Sequence, residues 1–329
     1  MTSAMEPPEA TSKPGKITPW HFYHAEAHAL SGFLKHPIDQ PLGKHAAVVL
    51  KTRRAEHVTE TVKETSLESL ISFRAGYSRV SGSKVVKKET WDRDHSAWVT
   101  LSTSVLEGLN VFEVITADRI VSQVSTEHAL EKGHVPQVTF LGTQFNNLKV
   151  SGFPLALTWK FGICGNEPRD GRSYLADLDF LNQVEAQTRE ITDLIGKQKN
   201  LPKDLRDEYA SRHKAVKELI EDCKAERKPR NQKVTCSLVQ SIGEIPIPGI
   251  LRFGNVLVIP NFGWLALAEV EVGTESPQDA AYREAGNGNS SKETISNYFD
   301  LEMLDIRLGC VGGGNVVAGQ SKSNGTTYP

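Results

Sequence analysis

The most suggestive chemical pattern in the sequence lies close to its start, in residues 17–38. If this segment is a β-strand, His24, Glu26 and His28 share one face, because strand side chains alternate with a period of two. Imidazole and carboxylate groups are ligands that divalent metals favour. The spacing therefore suggests a metal site of the kind that supports a hydrolase or a lyase.

A polar, solvated strand face is the competing interpretation of the same pattern. Neighbours on one strand face lie roughly 7 Å apart, so a metal would also need ligands from another strand. The obvious further donors are His95, His128 and His134, and nothing in the sequence places them near the first three. We therefore predict no resident cofactor, and keep a divalent metal on this strand face as the alternative.

No other catalytic motif accompanies this pattern. The sequence has no G-x-S-x-G elbow, no phosphate-binding G-x-x-x-x-G-K and no H-E-x-x-H. The four cysteines lie far apart without a C-x-x-C, so we expect free thiols rather than a zinc ribbon or a redox pair. A formal net charge of −2 gives no indication of a nucleic-acid partner. Whether the protein is an enzyme stays open at this level.

The elements that would position these residues are mainly strands. Residues 97–126 contain no proline and are rich in Val, Ile, Thr and Phe, which suit a pleated surface. Residues 138–163 and 255–273 alternate in the same way, and we predict that all three belong to one antiparallel system. In the last of them the alternation predicts one face made of Trp264, Ala266, Ala268, Val270 and Val272, and an opposite face made of Glu269 and Glu271.

Residues 175–228 have a different, helical pattern. Apolar residues recur close to a heptad spacing on both sides of a break formed by Gly196 and Pro202. We predict an antiparallel helical hairpin inserted into the β-domain. It could be a partner-docking arm, an oligomer interface or a lid on the sheet, since each apolar stripe must be buried on something. A shorter helix is predicted over residues 60–72.

The predicted fold class is mainly β: an antiparallel two-sheet sandwich or flattened barrel with the helical hairpin inserted. Residues 1–16 form a disordered tail, residues 17–174 and 229–309 form the two parts of the β-domain, and residues 310–329 form a flexible Gly/Ser-rich tail. No apolar run approaches the roughly 18 residues of a membrane helix. The chain as it stands is predicted to be soluble and cytoplasmic, and secreted or surface-exposed if an export signal has been removed.

Three strand segments also carry a resemblance. TSVLEGLNVFEVITADRIVSQVS, FLGTQFNNLKVSGFPLAL and VLVIPNFGWLALAEVEV follow one another along the chain. This succession resembles the β-domain of the bacterial proteins called choice-of-anchor P, in which A-x-x-V-x-S is followed by L-x-x-L-x-V-N-G and by I-P-G-x-G-x-V-x-L-N-E. The corresponding positions are Ala117, Ile120 and Ser122, then Phe145, Leu148, Val150 and Gly152, then Ile259, Pro260, Phe262, Gly263 and Glu269.

The resemblance covers about a quarter of the chain and implies a secreted or surface β-rich protein of unassigned activity. It carries over no catalytic residue. The chain departs from the pattern in two ways, since it shows no signal peptide and a helical segment interrupts the strands.

The leading functional hypothesis is a non-enzymatic binding or structural protein that acts through its sheet surface and its hairpin. Self-association or a protein partner at the hairpin is expected, with no nucleic acid and no integral membrane contact. One alternative is a metal-dependent hydrolase or lyase that uses His24, Glu26 and His28. Another is a pore-forming or membrane-active toxin, in which the Thr- and Ser-rich strands around residues 100–126 would refold.

Overall fold

A computed structural model of the chain describes residues 20–36, 38–68, 70–89, 93–129, 135–168, 171–275, 296–309 and 313–328. The predicted tail at residues 1–16 lies outside these ranges. The fold is mainly β, as predicted. Two large antiparallel sheets face each other, a small two-stranded sheet stands beside them, and two helices pack together. The sheets do not close into a flattened barrel.

The first sheet contains both ends of the described chain. Its strands are β1 (Trp20–Leu34), β2 (Gln40–Pro41), β3 (Val48–Thr52), β15 (Lys233–Ser237), β17 (Leu251–Phe253), β18 (Val256–Ile259), β19 (Gly263–Glu275), β20 (Ser296–Leu308), β21 (Gly314–Ser323) and β22 (Thr326–Tyr328). They follow the order β17-β18-β19-β20-β21-β1-β2, with β15 also paired to β19 and with β3 and β22 paired to β1. The last long strands of the chain, β20 and β21, therefore lie between β19 and β1.

The second sheet is built from the strands predicted around residue 110 and from their neighbours. Its strands are β4 (Glu56–Val62), β5 (Thr65–Leu67), β6 (Ile71–Phe73), β7 (Ala75–Glu89), β8 (Arg93–Val111), β9 (Ile115–Ala129), β10 (Gln137–Thr139), β11 (Gln144–Asn146), β12 (Lys149–Val150) and β13 (Phe153–Pro154). The small sheet pairs β14 (Leu157–Trp159) with β16 (Val239–Ile242).

The helical hairpin is present where the sequence predicts it. Helix α1 spans Leu178–Gly196 and helix α2 spans Lys203–Lys224. The side chain of Asp177 caps α1 by accepting a hydrogen bond from the Phe180 backbone nitrogen at 2.9 Å. Pro202 precedes the first turn of α2, where its missing N–H costs nothing. The apolar stripes of both helices are buried against the first and small sheets, so the hairpin packs on the sheet as a lid does.

Two sequence predictions were wrong. The described residues of the range 60–72 form no helix, because their β-branched Thr and Val residues pair as β4 and β5 with β7 and β6. The flexible tail predicted at 310–329 is also wrong for the residues described there, since β21 is hydrogen-bonded to β1 on one side and to β20 on the other. Its small residues suit a narrow space between sheets, and Val316 and Ala318 are buried in the core.

The two large sheets approach each other closely at several positions. A Cβ on Gly82 of β7 would lie 2.4 Å from the Tyr23 ring of β1, so only glycine fits there. Hydroxyl groups cross the gap: Ser102 donates to the carbonyl of Glu26 at 2.7 Å, and Ser321 donates to the carbonyl of Ser122 at 3.1 Å. Such bonds satisfy hydroxyls that would otherwise be buried without partners.

In one row across the first sheet, the residues that lie opposite one another do not form the regular strand pairing. Ala29, Gly319, Met303 and Ala268 lie opposite one another on β1, β21, β20 and β19, and the register on both sides of them is unchanged. Ala268 and Gly319 have positive φ angles of 48° and 70°. This phase-shift row moves the alternation of all four strands by one residue, as a bulge does.

The phase shift corrects the predicted faces of β19. Trp264 and Ala266 pack against the helices, whereas Val270 and Val272 belong to the core between the sheets. These residues therefore lie on opposite faces, although a strict period of two places them together. Glu269 and Glu271 share the outward face with Trp264 and Ala266.

Candidate binding face on the first sheet

The three residues of the predicted metal site do share the outward face of β1. They alternate with Tyr23, Ala25 and Ala27, which are buried against the second sheet. The expectation from the period of two therefore agrees with the geometry. The side chains nevertheless turn to different partners.

His24 and Glu26 are engaged with each other. His24 Nε2 lies 3.1 Å from Glu26 Oε1, and Lys51 Nζ lies 3.6 Å from the same oxygen. The hydrogen bond from His24 lowers the pKa of Glu26 to about 2. His28 turns away and places its Nε2 2.8 Å from Ser31 Oγ.

The geometry gives the metal hypothesis no support. Within the described ranges, no three His, Cys, Asp or Glu side chains lie in an arrangement that could hold a metal ion. His128 lies in the interior, with its ring 4.7 Å from that of His21. The side chain of His95 and the whole of His134 lie outside the described residues.

The actual neighbours of Glu26 and His28 come from three other strands. In an antiparallel sheet, residues directly opposite one another have Cβ atoms roughly 5 Å apart and share a face. Each of the four strands contributes two outward side chains, two residues apart. Directly opposed side chains line up across the sheet and form two rows. The rows are Glu26, Lys322, Asp300 and Glu271, then His28, Gln320, Glu302 and Glu269. We call these eight residues the polar face.

Most charges at the two sides of the polar face are compensated. Glu26 has His24 and Lys51, and Glu271 accepts hydrogen bonds from Lys233 Nζ and from the Tyr298 hydroxyl, each at 2.7 Å. The ammonium of Lys322 pairs with Glu275, which is the residue beside the face. Lys322 therefore forms its ion pair at the rim of the polar face, while its charge also offsets part of the rise in the pKa of Asp300.

On β20, one of the two inner strands of the polar face, Asp300 and Glu302 are not compensated in this way. Asp300 accepts two hydrogen bonds at 2.8 Å from the neutral amide of Gln320. Among the described side chains, neither Asp300 nor Glu302 forms an ion pair. Asp300, Glu302, Gln320 and Lys322 are all partly exposed, so a ligand can reach them.

Burial and mutual repulsion raise the pKa values of these acids. Burial, reinforced by Asp300, Asp305 and Glu269, raises the pKa of Glu302 to about 8. Burial is also the main cause that raises the pKa of Asp300 to about 6 and that of Asp305 to about 6. Glu302 is therefore largely protonated at neutral pH. Because burial is the largest cause of each shift, these carboxyls are acids that a nearby cation would stabilise in the ionised form.

Asp305 is a third acid on the outward face of β20, and it lies beyond the phase-shift row from Asp300 and Glu302. Its Oδ2 accepts a hydrogen bond from Arg307 Nε at 2.9 Å. Its Oδ1 is buried and has no hydrogen-bond partner among the described residues. An unsatisfied buried carboxylate oxygen is rare and costly in a folded protein. β20, which carries Asp300 and Glu302, therefore also carries a buried oxygen that no described donor satisfies.

The comparison with protein families gives one match. The model of a family described as a domain of unknown function, DUF8256, matches residues 21–273. The chain belongs to this family. No curated protein and no solved structure gives a significant match.

The DUF8256 match divides the polar face. The polar-face residues of β1 and β19 lie within the matched residues, whereas β20 and β21 follow them in the sequence. The acids with raised pKa values lie on β20 and therefore outside the matched residues.

The hairpin of this DUF8256 protein closes one side of the polar face. Arg212 of α2 forms a bidentate pair with Glu269, and the Tyr209 hydroxyl donates to the same carboxylate at 2.9 Å. Burial alone would raise the pKa of Glu269, but Arg212 and the hydrogen bonds outweigh it and lower that pKa. Trp264 Nε1 donates to Asp204 at 2.9 Å. These bonds fix α2 to β19.

A strict period of two predicts one edge of this face but not its centre. The sequence has a D-x-E pattern at Asp300 and Glu302, which is typical of alternation within a strand. No local pattern predicts that this strand pairs with β21 and β19, since β21 lies in the segment for which the sequence predicts a flexible tail. No described helix is long and apolar enough to cross a membrane.

Proposed function

We propose that this protein is a non-enzymatic binding protein whose polar face receives the ammonium or guanidinium groups of a ligand. The observation that carries the proposal is the pair of acids on β20 that lack an ion-pair partner. Asp300 and Glu302 lie on one outward strand face, and neither forms an ion pair among the described side chains, whereas Asp305 further along the strand is paired with Arg307. A ligand cation would supply the missing charge.

The energetics favour this class of ligand. When a carboxyl with a raised pKa is ionised, the folded protein is destabilised by roughly 1.4 kcal/mol for each unit by which that pKa is raised. A bound cation offsets that cost, because an opposite charge within a few ångströms favours the ionised form. Charge-assisted hydrogen bonds from such a cation are also stronger than neutral ones. An anionic ligand would add to the repulsion.

The role of the hairpin in this proposal is structural. Its apolar residues, including Ile191 and Leu205, are buried against the first sheet. The hairpin therefore offers polar rather than apolar surface to a partner or to a second copy of the chain, and it supports the polar face through Arg212. Self-association stays a prediction that the mass of the native protein will test.

The toxin alternative has less support. Hydroxyls of the Thr- and Ser-rich strands bond to the first sheet, for example Thr126 Oγ1 to Ser323 Oγ at 2.7 Å. Refolding of these strands would break such bonds across the whole interior. The metal-dependent hydrolase has no ligand set assembled among the residues that the structure describes.

Isothermal titration calorimetry with a hexalysine peptide tests the proposal. We expect the full chain to bind this peptide at low ionic strength and not to bind hexaglutamate. The Asp300→Asn/Glu302→Gln variant should bind hexalysine about tenfold more weakly, which corresponds to roughly 1.4 kcal/mol. The matched control is Glu60→Gln, on the exposed surface of β4. Equal weakening by the control, or no binding by the unmodified chain, would contradict the proposal.

A further inference from the structure

Two buried thiols lie against each other beneath the helical hairpin. Cys164 follows β14, and Cys236 lies on β15, so the chain between them contains both helices. Both residues are buried in the main core. A hydrogen bond with Cys236 is the main cause that raises the pKa of the Cys164 thiol, and the Cys236 thiol also donates to the Val270 carbonyl at 3.7 Å. This contact involves none of the residues of the polar face.

The backbone brings the segments that carry the two cysteines near each other. Trp159 of β14 is paired with Val239 of β16, and the Lys160 nitrogen donates to the Leu238 carbonyl at 2.6 Å. This ladder ends four residues from Cys164 and two residues from Cys236. Turn hydrogen bonds from the Ile163 nitrogen to the Lys160 carbonyl and from the Gly165 nitrogen to the Gly162 carbonyl keep the Cys164 segment folded against the end of the ladder.

We infer that Cys164 and Cys236 form an intramolecular disulfide when the chain folds in the presence of a disulfide oxidant, and remain paired thiols otherwise. One cysteine thiolate attacks the oxidant, forms a mixed disulfide and releases one oxidant thiolate. The second cysteine thiolate then attacks the protein sulfur and releases the other oxidant thiolate. Two protein thiols are thus oxidised to one disulfide, and one oxidant disulfide is reduced to two thiols.

The disulfide would close the base of the helical insertion. Its loop runs from residue 164 to residue 236 and encloses α1 and α2. A cross-link that closes a long loop stabilises the folded state mainly by restricting the unfolded chain. The thiolate is the reactive species, and burial together with the hydrogen bond keeps the pKa of Cys164 high. Oxidation is therefore fast during folding and slow once the hairpin has packed.

Refolding of the full chain tests this inference. The denatured, reduced protein is refolded with oxidised and reduced glutathione, the remaining thiols are alkylated under denaturing conditions, and the digest is mapped by mass spectrometry. We expect one cross-linked peptide that joins Cys164 to Cys236, the loss of two hydrogen atoms from the intact mass, and alkylation of Cys223 and Cys310. Folded, reduced protein treated in the same buffer should acquire the cross-link many times more slowly.

Two variants serve as controls. Cys223→Ala removes a thiol that donates to the Ala176 carbonyl at 3.1 Å, and it should leave the cross-link intact. Cys236→Ala should abolish it and return Cys164 as an alkylated thiol. Four alkylated thiols in the refolded chain, or a cross-link that involves Cys223 or Cys310, would overturn the inference. The mapping of the unmodified chain decides the question even if a variant fails to fold.

Discussion

Arg212 of α2 and Glu269 of β19 form a bidentate ion pair beneath the helical hairpin. The Nη1–Oε1 distance is 2.6 Å and the Nη2–Oε2 distance is 2.9 Å. Glu269 is 7% exposed, and it also accepts hydrogen bonds from Tyr209 and Asn255. This pair joins the hairpin to the polar face.

Removing the cation of this pair should be strongly destabilising. In Arg212→Met the carboxylate of Glu269 stays buried without its counter-charge, which costs roughly 3–5 kcal/mol. Urea denaturation measures the loss in the free energy of unfolding. The double variant Arg212→Met/Glu269→Leu should recover much of it, because no buried charge remains unpaired.

The control for this prediction is Arg189→Met. Arg189 Nη1 lies 3.5 Å from Glu185 Oε2 in an exposed pair on α1. Such a pair contributes roughly 0–1 kcal/mol. If Arg212→Met proved as mild as this control, the pair would not anchor the hairpin.

The acids of β20 should make the protein less stable as the pH rises. Their folded pKa values, about 6 for Asp300 and Asp305 and about 8 for Glu302, lie above the ordinary range. The folded state therefore binds more protons than the unfolded state, and the free energy of unfolding falls as the pH rises toward those values.

Glu302→Gln isolates the largest of these shifts. The variant cannot ionise, so the fall in stability toward pH 8 should be shallower than in the unmodified chain. Denaturant midpoints measured across this range give the slope. Glu60→Gln, on the exposed surface of β4, should leave the slope unchanged. Parallel curves for Glu302→Gln and the unmodified chain would show that Glu302 has an ordinary pKa.

Buried His21 should limit stability on the acid side. Burial and the neighbouring His128 lower the pKa of His21 to about 2. His21 Nδ1 lies 3.0 Å from Thr327 Oγ1, and its Nε2 has no hydrogen-bond partner among the described residues. An unfolded histidine titrates near a pKa of about 6.5, so the unfolded state gains protons first and stability falls as the pH drops below that value.

A pair of histidine variants tests this acid limb. Between pH 6.5 and pH 4, the slope of the free energy of unfolding against pH gives the number of protons taken up on unfolding. His21→Gln should lower this number by about one, whatever its effect on absolute stability. His57 is exposed on β4, and His57→Gln should leave the slope unchanged. Equal slopes in both variants would contradict a lowered pKa for His21.

The phase-shift row gives a prediction about backbone conformation. Gly319 has a φ angle of 70°, and an added Cβ would lie 3.1 Å from Ile120 Cγ2. Gly319→Ala should therefore lower the free energy of unfolding by about 1–3 kcal/mol. A Cβ on Gly162 would meet nothing within 4 Å, so Gly162→Ala should have little effect. Similar costs for the two variants would show that the row does not depend on glycine.

Local patterns in the sequence predicted the elements better than their arrangement. Gly196 and Pro202 mark the turn of the hairpin because their effects on the backbone are local. The faces of β19 were mis-assigned because the left-handed conformation of Ala268 depends on three neighbouring strands. β21 was missed because its small residues lack the bulk that identifies strands, although the narrow interior requires small residues there.

The same holds for the candidate site, where the sequence predicts which residues share a strand face but not which strands lie beside it. A period of two places His24, Glu26 and His28 on one face. The carboxyls that make this face distinctive are opposite them only because β20 and β21 insert between β19 and β1. This pairing is long-range, and no spacing in the sequence encodes it. The hypothesis of a metal site followed from the types of the three residues, whereas their partners in the structure are Lys51, Ser31 and each other.

Proton release on ligand binding tests the central claim most directly. Hexalysine is titrated into the full chain near pH 7 in two buffers that differ in ionisation enthalpy, and the difference in binding heat gives the number of protons exchanged. Because a bound cation lowers the pKa of Glu302, we predict that binding releases protons and strengthens as the pH rises from 6 to 8. Binding that exchanges no protons, or that weakens over this range, would contradict the assignment of the polar face as a cation-binding surface.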